Sequence, residues 1–140
     1  MIPDSIFKSI NHHYKDYIFF RNGQEVEKGY KPDFVLNNGD SYVIIESENS
    51  SNRKMFIGCM FKAAHFLQNE KKGILVIVMK EMINTKVQSI GSQIQIYYDW
   101  IKDKTNLNEI YIIAEDQYFS DNLALQIDSK EFDEKAFKVQ

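Results

Sequence analysis

The stretch that most restricts the fold of this chain is residues 31–48, which reads KPDFVLNNGDSYVIIESE. Two short apolar runs, residues 34–36 and 42–45, predict β-strands. Between them lies NNGD at residues 37–40, which is typical of a tight turn because Asn and Gly tolerate positive φ. The stretch therefore predicts an antiparallel β-hairpin.

This hairpin carries three carboxylates, Asp33, Glu46 and Glu48. Side chains alternate between the two faces of a strand, so Glu46 and Glu48 point the same way. The hairpin returns them past the beginning of the first strand, where Asp33 lies. Three carboxylates in one place repel one another, and a hard divalent cation would remove that repulsion. The other interpretation is that all three acids are solvated residues at strand ends.

Length and composition indicate one folded domain spanning residues 1–140. The chain is 44% hydrophobic and 14% aromatic, which excludes a disordered protein. Its net charge of -3 does not indicate a nucleic-acid-binding protein. It does not exclude one either, because phosphate contacts need only a local basic patch.

The expected setting is the cytoplasm. The single cysteine, Cys59, cannot form an internal disulfide, which favours a reducing compartment. No charged-then-apolar leader begins the chain, and no apolar run approaches the ~18 residues of a membrane span. We therefore expect neither secretion nor a membrane segment.

The remaining chain predicts three helices and three more strands. The helices are expected at residues 4–16, 53–69 and 85–102, and the strands at residues 17–21, 73–79 and 109–114. The continuous apolar run 73–79 indicates a strand buried on both faces. Residues 24–31 are predicted to be an exposed loop, and His12 and His13 are expected at the surface or an interface. Residues from 115 onwards are mixed and polar and allow no assignment.

This order predicts an α/β fold, a mixed sheet with helices on both faces and a right-handed crossover between residues 42 and 79. Two apolar residues, Ile96 and Trp100, lie off the buried stripe of the helix at 85–102. They are expected to pack against the tail of the chain or a partner subunit.

The sequence Pro32-Asp33, followed after twelve residues by Glu46-Ser47-Glu48, resembles the signature of PD-(D/E)XK nucleases. The predicted order of elements also resembles the αβββαβ core of that restriction endonuclease-like family, over roughly residues 6–79. One position differs, because Glu48 stands where the family usually has lysine. A Glu there resembles a minority of type II restriction endonucleases. In other members the lysine comes from the following helix, where Lys54 and Lys62 are the candidates here.

The resemblance implies a site for Mg²⁺, with Mn²⁺ as a possible substitute. Asp33 and Glu46 would hold the ion with the backbone carbonyl of Ser47. Glu48 would orient the attacking water or ligate a second metal, and Lys54 would offset charge in the transition state. The sequence contains no Cys/His spacing typical of zinc.

The expected function is that of a metal-dependent DNA endonuclease, a small restriction enzyme or the catalytic subunit of one. The chain has little length for reading DNA sequence, so the resemblance implies a homodimer or a larger recognition subunit. An alternative is a catalytically inactive nuclease fold that binds nucleic acid or a protein. A third is a different α/β domain with incidental acids. Nucleophilic catalysis by Cys59 is disfavoured because His65 lies nearly opposite it on the helix.

Overall fold

The computed structural model describes residues 2–140 and contains a six-stranded mixed sheet and a separate two-stranded one. The strands are β1 Ile18–Arg21, β2 Phe34–Asn38, β3 Ser41–Glu48, β4 Lys72–Met79, β5 Leu107–Ala114, β6 Phe119–Ser120, β7 Leu123–Ala124 and β8 Phe137–Val139. The helices are α1 Asp4–Ser9, α2 Arg53–Phe66, α3 Val87–Ile101, α4 Glu115–Tyr118 and α5 Lys130–Lys135, and a 3-10 turn at Lys102–Lys104 follows α3.

The large sheet has the order β1-β2-β3-β4-β5-β8. Strands β1, β2 and β3 form an antiparallel meander, whereas β3, β4 and β5 run parallel and are connected through α2 and α3. All of residues 73–79 in β4 are buried, which confirms the prediction of a strand covered on both faces. Strand β8 pairs antiparallel with β5 at the far edge.

Helices cover both faces of this sheet, as predicted. On one face Ile44 of β3 packs in a core with Phe56 of α2 and Ile94 of α3. On the other face Ile45 packs in a second core, which includes Phe7, Tyr118 and Phe132 from α1, α4 and α5. The alternation of neighbouring β3 residues between two cores follows from the period of two in a strand. The fold is therefore α/β with a mixed sheet.

The predicted hairpin is confirmed, with longer strands than expected. Phe34 lies opposite Ile45, and Asn38 lies opposite Ser41. Only Gly39 and Asp40 remain for the turn, and Gly39 has a φ of +60°. A two-residue turn with positive φ matches the twist of the paired strands.

The predicted helix at residues 4–16 is wrong beyond Ser9. The chain becomes extended at Ile10, and His12, which we expected at the surface, is only 5% exposed. Its Nδ1 lies 2.6 Å from the hydroxyl of Tyr118 and its Nε2 lies 2.7 Å from the carbonyl of Phe7. A neutral ring satisfies both groups, with Nε2–H donating and Nδ1 accepting. This buried hydrogen bonding explains why the helix stops.

The buried ring of His12 predicts acid sensitivity. Burial lowers the pKa of His12 from 6.5 to about 4. Because the unfolded chain takes up the proton first, this contribution to stability is complete above pH 6.5. It is lost as pH falls toward 4, by up to about 3 kcal/mol. An NMR titration of the His12 ring should give a midpoint near 4, and a midpoint near 6.5 would contradict this burial.

The tail, which the sequence left unassigned, forms α4, the β6–β7 hairpin, α5 and β8. It does not cover Ile96 and Trp100, which are 67% and 69% exposed, so the expected contact with the tail is wrong. Phe137 of β8 instead approaches α3 at Gly91. Within residues 2–140, the helices are too short or too polar to span a membrane.

Candidate active site

The base of the β2–β3 hairpin brings Asp33 and Glu46 together. The backbone N–H of Asp33 donates to Oε1 of Glu46 over 3.1 Å. In return, Oδ2 of Asp33 accepts from the backbone N–H of Ser47 over 2.8 Å. Each carboxylate is therefore fixed through one of its oxygens. Their pairing follows from the register of the hairpin, in which Phe34 and Ile45 are the neighbouring pair.

A cavity of about 370 Å³ opens between this hairpin base and α2. Helix α2 begins shortly after β3 ends. Its first turn is capped by the side chain of Asn52, which accepts from the backbone N–H of Lys54 over 3.0 Å. The cavity is lined by Tyr30, Lys31, Asp33, Glu46, Ser47, Glu48, Lys54, Met55, Gly58, Cys59 and Lys62. It thus contains every residue that the sequence assigned to the site.

Burial changes the acidity of both paired carboxyl groups. It is the largest cause that raises the pKa of Glu46 to about 7, and the charge of Asp33 adds to it. Burial also raises the pKa of Asp33, against the hydrogen bond from Ser47. Near neutral pH the Glu46 carboxyl is therefore partly protonated. A cation placed here would favour its ionised form.

Glu48 lines the same cavity but is held differently. Its Oε1 accepts from the backbone N–H of Ser50 over 3.0 Å, in the loop that follows β3. In the part of the chain that the structure describes, no group of three or more His, Cys, Asp and Glu side chains is arranged to hold a metal ion. Asp33 and Glu46 are thus held by backbone N–H groups across the hairpin base, whereas Glu48 is held by the loop after β3.

Lysines approach the carboxylates from two sides. Lys54 and Lys62 of α2 line the cavity with exposed side chains, and the charge of Lys62 lowers the pKa of Glu46. From α1, the Nζ of Lys8 lies 4.0 Å from Oδ1 of Asp33 and 3.0 Å from Asp4. Sequence reasoning did not find Lys8, because only the packing of α1 brings it to the hairpin.

Tyr30 and Cys59 were also missed as site residues. The hydroxyl of Tyr30 is buried and forms no hydrogen bond of standard geometry among residues 2–140. Burial is the largest cause that raises the pKa of Tyr30, and Glu46 adds to it through its charge and a weak side-chain contact with the hydroxyl. Burial and the three acids raise the pKa of the Cys59 thiol well above its usual value, which makes it a poor nucleophile.

Two carboxylates, a buried hydroxyl and lysines around one cavity can hold a hard cation and attract an anionic substrate. Comparisons with protein-family models, curated proteins and solved structures found no significant match to this chain. A functional conclusion therefore depends on the geometry of this site.

Proposed function

We propose that this chain is a metal-dependent DNA endonuclease with a restriction endonuclease-like, PD-(D/E)XK type of fold. The observation that carries the proposal is the position of the Asp33 and Glu46 carboxylates, each held by a backbone N–H across the hairpin base, in a cavity that two lysines of α2 also line. The order α1-β1-β2-β3-α2-β4 supports it, since it is the αβββαβ order that the sequence resemblance implies.

The chemistry of the donors fits Mg²⁺. Asp33 and Glu46 supply carboxylate oxygens, and in each carboxylate only one oxygen is bonded to a backbone N–H. The backbone carbonyl of Ser47 adds a further oxygen ligand. Burial and the charge of Asp33 raise the pKa of Glu46 to about 7, and a bound cation would favour its ionised form. When bound, Mg²⁺ supplies an activated water and neutralises charge on the phosphoryl oxygens, and Mn²⁺ would serve as a substitute.

The other side chains of the cavity have separate roles in this proposal. Glu48 accepts a proton from the attacking water or orients it, since only its Oε1 is bonded to the N–H of Ser50. Lys54 and Lys62 bind the phosphate and offset negative charge in the transition state. Lys8 limits the repulsion between Asp33 and the neighbouring acids.

DNA is the proposed substrate, in a cytoplasmic setting. The cavity is lined by three lysines, Lys31, Lys54 and Lys62, which together with a bound divalent cation would outweigh its three acids and attract phosphate. Cutting both strands of a duplex requires two active sites. The proposal therefore includes a second copy of this chain or a larger recognition subunit.

Asp33→Asn is expected to lower cleavage of plasmid DNA in Mg²⁺ or Mn²⁺ by at least a hundredfold, roughly the 3 kcal/mol expected for a lost ligand charge. The asparagine retains an oxygen that can accept from Ser47, so the hairpin should stay intact. The measurement is supercoiled plasmid cleavage with each ion and with EDTA. The matched control is Asp40→Asn, the same change at the exposed turn of the same hairpin, which should cleave normally.

The alternative of an inactive nuclease fold is favoured by one observation, Glu48 at the position where the resemblance leads us to expect lysine. It predicts DNA binding without cleavage in either ion. Cleavage that survives in Asp33→Asn at the wild-type rate would reject the proposed site.

A further inference from the structure

The hydroxyl of Tyr30 is a buried polar group that forms no hydrogen bond of standard geometry in the described part of the chain, although Glu46 lies near it. The residue is only 3% exposed, so solvent does not replace the missing hydrogen bond. Burying an unpaired hydroxyl costs free energy, and most buried polar groups in native proteins are paired. A hydroxyl in this state beside a carboxylate in the same cavity is placed to complete its hydrogen bond when a ligand fixes that carboxylate.

The backbone around Tyr30 holds this side chain in place. Residues 27–30 form a tight turn, in which Gly29 has a φ of +82° and the N–H of Tyr30 donates to the carbonyl of Glu27 over 2.9 Å. The Glu27 carboxylate in turn contacts Nδ1 of His65 on α2 over 2.7 Å. The Tyr30 ring packs edge-on against Phe66 at 6.4 Å. The position of the hydroxyl is therefore built into the fold.

The hydrogen-bond acceptor available to this hydroxyl is the Glu46 carboxyl. Both line the same cavity, and the charge of Glu46 acts directly on the Tyr30 phenol. A carboxylate has about four lone-pair positions, of which the N–H of Asp33 takes one. A bound cation would take another, which leaves Glu46 able to accept from Tyr30.

We propose that Tyr30 is a positioning residue for the cation site, whose O–H donates a hydrogen bond to the Glu46 carboxylate in the cation-loaded protein. This inference rests on the proposed function, because it requires that Asp33 and Glu46 hold a divalent ion. The hydrogen bond orients Glu46 and increases its affinity for the ion, as groups bonded to metal-binding carboxylates generally do.

The test is Tyr30→Phe, studied with Mn²⁺ alone by isothermal titration calorimetry and by urea unfolding in EDTA. We expect the dissociation constant for Mn²⁺ to rise by roughly tenfold or more. We expect the midpoint of unfolding in EDTA to stay the same or to rise, because the metal-free protein loses no hydrogen bond of standard geometry. A merely structural tyrosine would show the reverse, a lower midpoint with unchanged Mn²⁺ affinity.

The control is Tyr42→Phe, which removes a hydroxyl from the same core but outside the cavity. It should leave Mn²⁺ affinity within about twofold of the wild type, since no ligand is affected. If the wild type binds Mn²⁺ and Tyr30→Phe binds it equally well, the role of Tyr30 is rejected and the proposed function stands. If the wild type binds no Mn²⁺ at all, both are rejected. A Tyr30→Phe protein that fails to fold would also overturn the inference.

Discussion

Glu46→Gln is expected to reduce metal-dependent cleavage by about a thousandfold, which corresponds to ~4 kcal/mol of transition-state stabilisation. The amide retains an oxygen that can accept from the N–H of Asp33, so the hairpin base should keep its geometry. What the variant loses is the negative charge that would hold the cation. Of the two carboxylates held at the hairpin base, only Asp33 then remains.

The same variant should be more stable than the wild type in alkaline, metal-free solution. Burial raises the pKa of Glu46 from 4.5 to about 7, so the folded protein holds a proton that the unfolded chain has released. That contribution to stability is complete below pH 4.5 and is lost as pH rises through 7. Glutamine does not ionise, so at pH 8 the variant should be more stable by about 3 kcal/mol.

Cleavage and pH-dependent stability can both be measured on the wild type and Glu46→Gln. In urea unfolding with EDTA, the two proteins should have similar free energies of unfolding at pH 5. At pH 8 the free energy of unfolding should be clearly higher for Glu46→Gln. The opposite acid effect of His12 is present in both proteins and cancels in the comparison. Glu70→Gln, at an exposed carboxylate after α2, is the matched control and should change neither cleavage nor this pH dependence. Equal stability at pH 8 would show that Glu46 is not buried as described.

Gly73→Ala is expected to destabilise the fold by about 4 kcal/mol, because no space exists for the added carbon. A Cβ at Gly73 would overlap the carbonyl oxygen of Tyr42. That oxygen belongs to the backbone of β3, directly opposite Gly73 in the parallel pair β3–β4. Relief therefore requires the two central strands to separate, rather than a side chain to rotate.

Gly58→Ala is the matched control for Gly73→Ala. Gly58 lies in α2, and a Cβ there would meet no other atom within 4 Å. Alanine is the better helix former, so this variant should gain about 0.5–1 kcal/mol. Urea unfolding of both variants checks the pair. A Gly73→Ala protein of wild-type stability would mean that β3 and β4 are not paired in this register.

Features that depend on neighbouring residues were predictable from the sequence. The hairpin at residues 31–48 follows from two apolar runs around a turn that tolerates positive φ. Its register then places Asp33 beside Glu46 without further information. The buried strand β4 and the apolar stripe of α3 follow from period and composition in the same way, since each pattern lies within one continuous segment.

Features that depend on distant residues were decided only by the tertiary structure. His12 is buried because Tyr118, more than a hundred residues away, offers it a hydroxyl. Strand β8 forms because the edge of β5 offers backbone groups to pair with, although its three residues carry a weak pattern of their own. Lys8 and Tyr30 reach the carboxylate pair through the packing of α1 and of the loop before β2. The sequence by itself determined which acids meet. The tertiary structure decided what surrounds them, because burial and charge act through space and local periodicity does not record them.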